Sequence, residues 1–336
     1  MKTKLFLLAM MTVFFCQSQA QIKVGIIGLD TSHAIAFTKL LNEEEKKDDF
    51  KGFTVVAAYP YGSKTIESSY KRIPGYTDQV KEMGVEVVSS IAELLKKVDC
   101  VMLETNDGNL HLEQAYEVLK SGKKLFIDKP LGASLAQSIA IYQLAREYKV
   151  PIFSSSALRF VPKNQELRNG DFGKVLGADC YSPAGREKTH PDFGWYGIHG
   201  VETLFTIMGT GCVSVNRMSA EGTDVVVGLW NDGRIGTFRG LRTGKNIYGG
   251  TAFTDKGAEP VGPYQGYEYL LNEVLQFFKS GMVPVSEAET LEIFTFMEAS
   301  NESKRSNGEI ILMEDTYRRG MNEANQLLKE LKAGEK

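Results

Sequence analysis

The chain has 336 residues, of which 43% are hydrophobic, 24% charged and 10% aromatic, and its formal net charge is -3. This composition is that of an ordinary globular protein and excludes disordered, collagen-like and coiled-coil chains. The length predicts two domains, and the slight excess of acids argues against a nucleic-acid or anionic-membrane partner, because both require a basic surface.

The first twenty residues have the features of a secretory signal peptide. Two lysines precede an apolar run, residues 5–15, that is too short to span a bilayer as a helix, and the small residues Ser18 and Ala20 follow. A buried first strand or an anchor is the alternative. We therefore expect a Sec-type signal over 1–20, a periplasmic or extracellular protein and no membrane span. The remainder carries 37 basic and 42 acidic side chains, a net charge of -5.

Strand and helix patterns alternate through residues 21–156. The apolar strand patterns cover 22–27, 53–58, 100–103, 125–127 and 150–153, and the helical patterns cover 34–41, 91–95, 110–119 and 135–148. Alternating units with apolar strands form a parallel sheet covered by helices. This half therefore predicts an α/β domain with a doubly wound parallel sheet.

Residues 157–336 follow another pattern. Longer strands separated by glycine-rich turns are predicted at 174–181, 213–219, 224–229 and 234–238, and helices at 199–207, 267–278, 288–303 and 315–331. Strands in series predict an α+β domain with an antiparallel or mixed sheet. We place the boundary between the two domains at residues 156 and 157.

The turn after the first predicted strand departs from the dinucleotide-binding pattern G-x-G-x-x-G. Gly28 fits the first position, but Asp30 and His33 replace the second and third glycines. A carboxylate at this turn would repel a phosphate, and a side chain at the third position would push the helix away from the strand. Alternatively, Asp30, Thr31 or Ser32 serves as the helix cap.

The segment after the second predicted strand lacks the acid that usually binds the ribose hydroxyls of NAD. Ser63 and Lys64 are instead suited to the 2′-phosphate of NADP. The alternative is an ordinary turn with a solvated lysine.

Several motifs occur in a characteristic order along the chain. They are Thr105–His111, Gly122–Lys124, Asp128-Lys129-Pro130-Leu131, Arg159–Pro162 and Gly197–Glu202. In this order and spacing the chain resembles the glucose–fructose oxidoreductase, inositol dehydrogenase and rhizopine-catabolism family (Gfo/Idh/MocA), over nearly all of residues 21–336. The resemblance implies an N-terminal Rossmann-like, dinucleotide-binding domain over 21–156 and a C-terminal α/β domain with a large open, mostly antiparallel sheet. It also implies NAD or NADP as cofactor, a sugar or polyol substrate and a homodimer or homotetramer.

The resemblance also implies roles for individual residues. Lys129 matches the lysine of the family's EKP motif, and Gly197, His199 and Glu202 match its G-x-H-x-x-D element, with Trp195 where the family usually has an aspartate. The cofactor would be bound by Gly28, Asp30, Thr31, Ser32, His33, Ser63, Thr105, Asn106, Lys129 and Pro130. The substrate would be bound by Arg159, His190, Asp192, Trp195 and Tyr196.

Oxidation of a secondary alcohol needs a base for the hydroxyl proton, and the imidazole of His199 suits that role. Lys129 would stabilise the developing alkoxide, unless it is simply an exposed strand-end lysine. Glu202, three residues after His199 on one helix face, would orient the imidazole, or the two form a surface pair.

Other candidates have two readings each. Four side chains of types that bind metals occur close together in sequence: His190, Asp192, His199 and Glu202. Their spacing matches no metal motif, so no metal is predicted, and the alternative to a metal site is a polar cluster of loop and helix residues. Trp195 and Tyr196 either stack on a sugar ring or belong to the core. Arg159 either binds a substrate oxygen or forms a structural ion pair.

Three functions follow from these observations. The first is a sugar or polyol oxidoreductase with tightly bound NAD(P), since free nicotinamide nucleotide is scarce outside the cytoplasm. The second is a non-oxidative lyase, hydratase or epimerase acting on keto-sugars with weak or lost nucleotide binding. The third is a non-catalytic carbohydrate-binding protein.

Overall fold

The computed structural model describes residues 21–334; the predicted signal peptide, 1–20, lies outside them. The first half of the chain builds a six-stranded, wholly parallel sheet. Its strands are β1 (Ile22–Ile27), β2 (Phe53–Tyr59), β3 (Glu86–Val87), β4 (Cys100–Leu103), β5 (Lys124–Asp128) and β6 (Ile152–Ser155). The strand order is β3-β2-β1-β4-β5-β6, so the order reverses between β1 and β4. In such sheets a ligand crevice opens at the carboxyl ends of the strands flanking this reversal.

Six α-helices accompany this sheet. They are α1 (Ser32–Asn42), α2 (Glu67–Tyr70), α3 (Ile73–Glu82), α4 (Ile91–Leu95), α5 (Gly108–Lys120) and α6 (Leu135–Tyr148), and a 3₁₀ turn spans Asp48–Phe50. All four residues of β4 are buried, as expected of a strand covered on both faces. The prediction of a doubly wound Rossmann sheet is confirmed.

The second half builds a seven-stranded sheet. Its strands are β7 (Val175–Pro183), β8 (Cys212–Ser219), β9 (Thr223–Trp230), β10 (Ile235–Leu241), β11 (Gly249–Thr254), β12 (Gly257–Pro260) and β13 (Ile311–Leu312). The order is β12-β11-β7-β10-β9-β8-β13; β7 and β10 are parallel, and the remaining pairs are antiparallel. The predicted mostly antiparallel sheet is confirmed.

Five helices belong to this half: α7 (Pro162–Asn169), α8 (Ile198–Met208), α9 (Glu268–Ser280), α10 (Glu287–Arg305) and α11 (Met313–Ala333). Helices α8 and α10 contact one face of the second sheet. The opposite face carries an exposed apolar row formed by Leu229 (42% exposed), Ile235 (54%) and Phe253 (43%). The strand register aligns them across β9, β10 and β11, with Gly177 of β7 between the last two. This face of the sheet is open.

Helix α9 packs away from the sheet of its own half. Leu270, Val274 and Phe277 are fully buried in the same apolar cluster as Val24 and Ile26 of β1. The boundary predicted at residues 156 and 157 separates the strands of the first sheet from those of the second. As a boundary between domains it stays a prediction, because α9 follows it in sequence and yet packs into the core of the first half.

Two further features concern the helices and the cysteines. Within residues 21–334, each helix is too short or too polar to cross a membrane. Cys100, Cys180 and Cys212 are buried free thiols, and burial raises the pKa of each well above its usual value. These cysteines are core residues rather than reactive ones.

Candidate active site

A cleft of about 410 Å³ opens at the carboxyl edge of the parallel sheet, at the point where the strand order reverses. One wall comes from the segments after β1, β4, β5 and β6, and the other comes from the start of α8 and two tyrosine-bearing loops of the second half. The predicted residues that line it are Thr31, Ser32, His33, Asn106, Lys129, Trp195, Tyr196 and His199. The cleft therefore joins residues from both halves of the chain.

The turn between β1 and α1 is tight. Gly28 has a φ of +93°, and a Cβ added there would lie 2.4 Å from the backbone nitrogen of Thr105. Position 28 thus requires glycine for both conformation and space. Thr31 is the N-cap of α1, and its hydroxyl accepts a hydrogen bond from the backbone N–H of Ala34 at 3.3 Å. Among the three predicted candidates, Thr31 provides the cap.

Asp30 does not line the cleft, contrary to the expected repulsion of a phosphate at this turn. Its side chain is fully buried and accepts hydrogen bonds from the backbone N–H groups of Asn106 (3.0 Å) and Ser63 (3.2 Å). It therefore ties together the turns that follow β1, β2 and β4. Burial raises the pKa of Asp30 from 3.8 to about 6, against the opposing effect of these two hydrogen bonds.

This raised pKa predicts a pH-dependent stability difference. A carboxyl whose pKa is higher in the folded than in the unfolded state stabilises the fold at pH values below its unfolded-state pKa. That contribution is lost as the pH rises through the folded-state pKa, which is about 6 for Asp30. Relative to Asp30→Asn, the wild-type free energy of unfolding should fall by about 2–3 kcal/mol between pH 4 and pH 8. Urea denaturation of both proteins across this range measures the difference; a constant difference, or one that rises with pH, would contradict the assignment.

His33 occupies the third glycine position and packs into the cleft wall. Its Nδ1 lies 2.8 Å from Oδ2 of Asp128, and its ring centroid lies 4.4 Å from that of Tyr267. Burial tends to raise the pKa of Asp128, but the neighbouring His33 and Lys129 outweigh it, and the pKa is lowered. Asp128 is thus held as a carboxylate.

Besides Gly28 and Asp30, three further residues predicted to bind the cofactor do not line the cleft. Ser63 is buried, and its hydroxyl donates a hydrogen bond to Asp107 at 2.8 Å, so it is not available to a 2′-phosphate. Thr105 and Pro130 are buried beside the cleft residues Asn106 and Lys129. The cleft is lined instead by Ser68 and Arg72, which the sequence reasoning missed.

His199 and Lys129 face the same cleft from opposite halves of the chain. Nδ1 of His199 lies 2.7 Å from the hydroxyl of Ser156, and Nζ of Lys129 lies 5.9 Å from the ring centroid of Tyr196. Burial, followed by the charges of Lys129 and His33, holds the pKa of His199 well below its usual 6.5. The imidazole is therefore neutral at pH 7 and can accept a proton.

Glu202 and Arg159 form a buried ion pair rather than contacting His199 or the cleft. Nε of Arg159 donates to Oε1 of Glu202 at 2.7 Å, and the second carboxylate oxygen accepts the backbone N–H of Ser156 at 2.8 Å. The predicted orienting role of Glu202 would have to pass through Ser156, which lies between the two side chains, and the alternative of a surface pair is excluded because Glu202 is buried. Of the two roles predicted for Arg159, contact with substrate and a structural ion pair, the structure shows the ion pair.

His190 and Asp192 also lie outside the cleft. Nε2 of His190 accepts the backbone N–H of Gly108 at 3.2 Å, which joins this loop to the start of α5. Asp192 binds Arg217 (2.7 Å) and Lys304 (2.6 Å) beside a separate cavity. The four residues considered together as metal ligands therefore do not form one cluster. His199 lines the cleft, Glu202 belongs to the buried ion pair, and His190 and Asp192 lie beside the separate cavity.

Aromatic rings form the second wall of the cleft. Trp195 and Tyr196 line it as predicted, together with Tyr248, Tyr264 and Tyr267 from loops. The ring centroid of Tyr248 lies 5.9 Å from that of His199. Such rings bind the apolar faces of sugars and polyols. The three tyrosines were not predicted, because loop residues have no periodicity that places them.

Residues 22–155 match the model of the oxidoreductase family with an NAD-binding Rossmann fold (Gfo/Idh/MocA), so this part of the chain is similar to that family. A curated "uncharacterized oxidoreductase" of Streptococcus pneumoniae serotype 4 (strain ATCC BAA-334 / TIGR4) is 31% identical over 122 residues. That match covers 34% of this chain and 32% of the relative, so it spans about a third of the relative's length.

Solved structures extend the likeness to both halves of the chain, as a likeness of fold. A probable dehydrogenase from Thermotoga maritima superposes with a TM-score of 0.72 at 20% identity, covering 88% of this chain and 100% of the other. A scyllo-inositol dehydrogenase from Lactobacillus casei, with bound NAD(H) and scyllo-inositol, gives 0.70 at 18% identity, covering 88% and 99%.

Proposed function

We propose that the protein is an oxidoreductase that uses NAD or NADP to oxidise or reduce a secondary alcohol of a sugar or polyol. The observation that carries this proposal is the placement of Lys129 and His199 in one aromatic-walled cleft at the strand reversal of a Gfo/Idh/MocA Rossmann sheet. Inositol dehydrogenases among the structural neighbours support the substrate class.

The phosphate end of the cleft fits a dinucleotide in spite of the missing glycines. The N-terminus of α1, with Thr31 and Ser32, lines the cleft, and helix N-termini favour phosphate groups. Arg72 lines the same end and lies 3.5 Å from the backbone carbonyl of Asp30. The carboxylate of Asp30 faces away into backbone N–H groups. Arg72, Ser32 and Asn106 would hold the cofactor.

When bound, a nicotinamide cofactor would accept or supply the hydride. The protein's own residues manage the proton and the charge: neutral His199 takes the proton of the substrate hydroxyl, and the ammonium of Lys129 stabilises the developing alkoxide. Trp195 and Tyr196 would orient the ring of the substrate by stacking.

Ser156 acts as a positioning residue. Its hydroxyl contacts Nδ1 of His199, and its own backbone N–H is fixed by Glu202. The hydroxyl also accepts the backbone N–H of Leu158 at 3.2 Å. Glu202 would therefore act on the imidazole of His199 through Ser156. Because Nδ1 of His199 contacts the hydroxyl of Ser156, Nε2 is the nitrogen that would receive the proton.

Nucleotide binding tests the proposal. The purified protein is denatured and the supernatant analysed for NAD(H) and NADP(H), and both are then titrated into the nucleotide-free form. We expect micromolar or tighter binding, and Arg72→Ala should weaken it by on the order of 10–100-fold, the usual worth of a charge-assisted bond to phosphate. A loss confined to NADP(H) would assign Arg72 to the 2′-phosphate, and an equal loss would assign it to the pyrophosphate.

The matched control is Arg186→Ala, which removes an arginine bound to Asp192 outside the cleft. Nucleotide affinity should not change in this variant. Absence of both bound nucleotide and measurable affinity in the wild type would overturn the oxidoreductase proposal.

A non-oxidative enzyme on keto-sugars is the second candidate. It is favoured by one observation: the side chain of His33 fills the third glycine position and contacts Asp128 and Tyr267 within the cleft. His199 and Lys129 would then serve proton abstraction next to a carbonyl. Deuterium incorporation from solvent into a keto-sugar without net redox change would identify this reaction. Sugar binding without any turnover would leave the third possibility, a binding protein.

Two further statements about the protein remain proposals. We propose export after removal of residues 1–20, for which N-terminal sequencing of the protein secreted by its host should give Gln21. We also propose a homo-oligomer in which a second copy covers the open face with Leu229, Ile235 and Phe253, since contiguous apolar faces of this kind are rarely left to solvent.

A further inference from the structure

Glu104 is a buried carboxyl that the proposed reaction does not use. It directly follows β4, its exposure is 0%, and both of its carboxylate oxygens lack a hydrogen-bond partner among residues 21–334. A buried carboxyl without a partner costs several kcal/mol unless something neutralises it or binds it. An external group is therefore expected to satisfy Glu104.

Glu104 lies close to two other side chains of types that can ligate a metal ion, His33 and Asp128. One ligand atom each of His33, Glu104 and Asp128 lies within 4.8 Å of the other two, and all three residues are buried. These side chains come from the segments after β1 and β4 and from the end of β5. They converge beneath the floor of the cleft, and His33 and Asp128 also line the cleft itself.

The charge of this cluster favours a dication. Two carboxylates bring a charge of -2, which the neighbouring ammonium of Lys129 offsets in part, and the imidazole offers one nitrogen donor. One nitrogen and two carboxylate oxygens form the mixed donor set that first-row divalent cations accept, with water in the remaining positions. Softer ions that select thiolates are disfavoured, since the three cysteines lie elsewhere in the core.

We propose that His33, Glu104 and Asp128 bind one divalent first-row transition-metal ion, of the Zn²⁺ or Mn²⁺ class, at the floor of the cleft. The ion enters from the cleft, past His33 and Asp128. It lies at the carboxyl ends of the central strands, where the third glycine of the usual dinucleotide turn is replaced by a ligand.

Two other states of the cluster compete with this one. Without a cation, burial and the charge of Asp128 raise the pKa of Glu104 well above its usual value, so the carboxyl would keep a proton. A trapped water molecule could equally bridge the three groups. If Glu104 is protonated or bridged by water, the protein should bind no stoichiometric metal ion at these three residues.

The test is metal binding by the full mature chain. The protein is stripped with a chelator and titrated calorimetrically with Zn²⁺ and with Mn²⁺, and metal content after dialysis is measured by mass spectrometry. We expect one ion per chain for at least one of the two metals. Glu104→Gln should weaken that binding by at least about 100-fold, beyond the 10–100-fold ordinarily lost with an outer-shell partner.

Glu298→Gln is the matched control. Glu298 is a carboxylate beside the separate cavity near His190 and Asp192, and it pairs with Arg305. Metal binding should be unchanged in this variant. Equal loss in both variants, or full binding in Glu104→Gln, would overturn the assignment, as would the absence of a stoichiometric ion in the wild type.

A second measurement does not depend on the folding of Glu104→Gln. Co²⁺ bound to the wild type should give visible absorption bands that Zn²⁺ displaces, and His33→Asn should remove them because the nitrogen ligand is lost. Unchanged bands in His33→Asn would place the ion elsewhere. Both readouts are independent of nucleotide binding, so they can fail or succeed separately from the proposed function.

Discussion

Arg159→Met is expected to lower the free energy of unfolding by about 3–5 kcal/mol, the usual cost of leaving a buried charge unpaired. The guanidinium is 2% exposed and donates to Glu202 and Glu289 at 2.7 Å each. Glu289 keeps a second arginine, Arg168, at 2.8 Å, but Glu202 has no other cationic partner among the described residues. The main penalty therefore falls on Glu202. Urea denaturation followed by the fluorescence of the two tryptophans measures the change.

Two variants test the cause of that loss. Arg305→Met removes an exposed arginine with one partner, Glu298, and should change stability by less than about 1 kcal/mol. Adding Glu202→Gln to Arg159→Met should restore part of the stability, because the unpaired carboxylate is then neutral. A double variant less stable than Arg159→Met alone would show that packing, rather than buried charge, explains the effect.

His199→Asn is expected to reduce turnover by about 10²–10⁴-fold, the contribution usual for a general base, while nucleotide affinity stays within about twofold. Because the pKa of His199 lies well below 6.5, the acid limb of the wild-type kcat/KM profile should also lie below that pH. Stopped-flow or steady-state assays of alcohol oxidation across pH 4–9 give both values.

Ser156→Ala distinguishes positioning from structure in the same assay. Loss of the hydroxyl at Nδ1 of His199 should lower kcat and move the acid limb, with nucleotide affinity unchanged. A lower kcat with an unmoved acid limb would assign Ser156 a packing role only. Turnover retained in His199→Asn would remove the imidazole as the base.

The sequence predicted most elements closely where periodicity and burial agree. Strand β4 and helices α4 and α6 coincide with the predicted ranges, since their apolar patterns match the faces they bury. The segment between β2 and α4 was left unassigned: α3 has ten residues but buries only Val80, while α2 has four residues and β3 has two. Such short elements carry too few residues for a period to show.

The candidate site was predicted less completely for a related reason. Residues that follow strand ends, such as Lys129 and Asn106, can be placed at one sheet edge by topology alone. Spacing along a helix put Glu202 beside His199, but it carried no information on Arg159 or Ser156, which approach from 43 and 46 residues away in sequence. Side-chain pairing of this kind is a tertiary property.

The docking of α9 into the first core determines how this protein is assembled during synthesis. Leu270, Val274 and Phe277 cover the face of the parallel sheet that includes Val24 and Ile26, and they leave the ribosome only after the whole second sheet except β13. One face of the first sheet is therefore covered only in part, by α1 and α3, while the strands up to β12 are made. The cooperative unit is discontinuous in sequence, with most of the second sheet inserted between two parts of a single core, so the domain built on the parallel sheet cannot be excised intact by cutting the chain once.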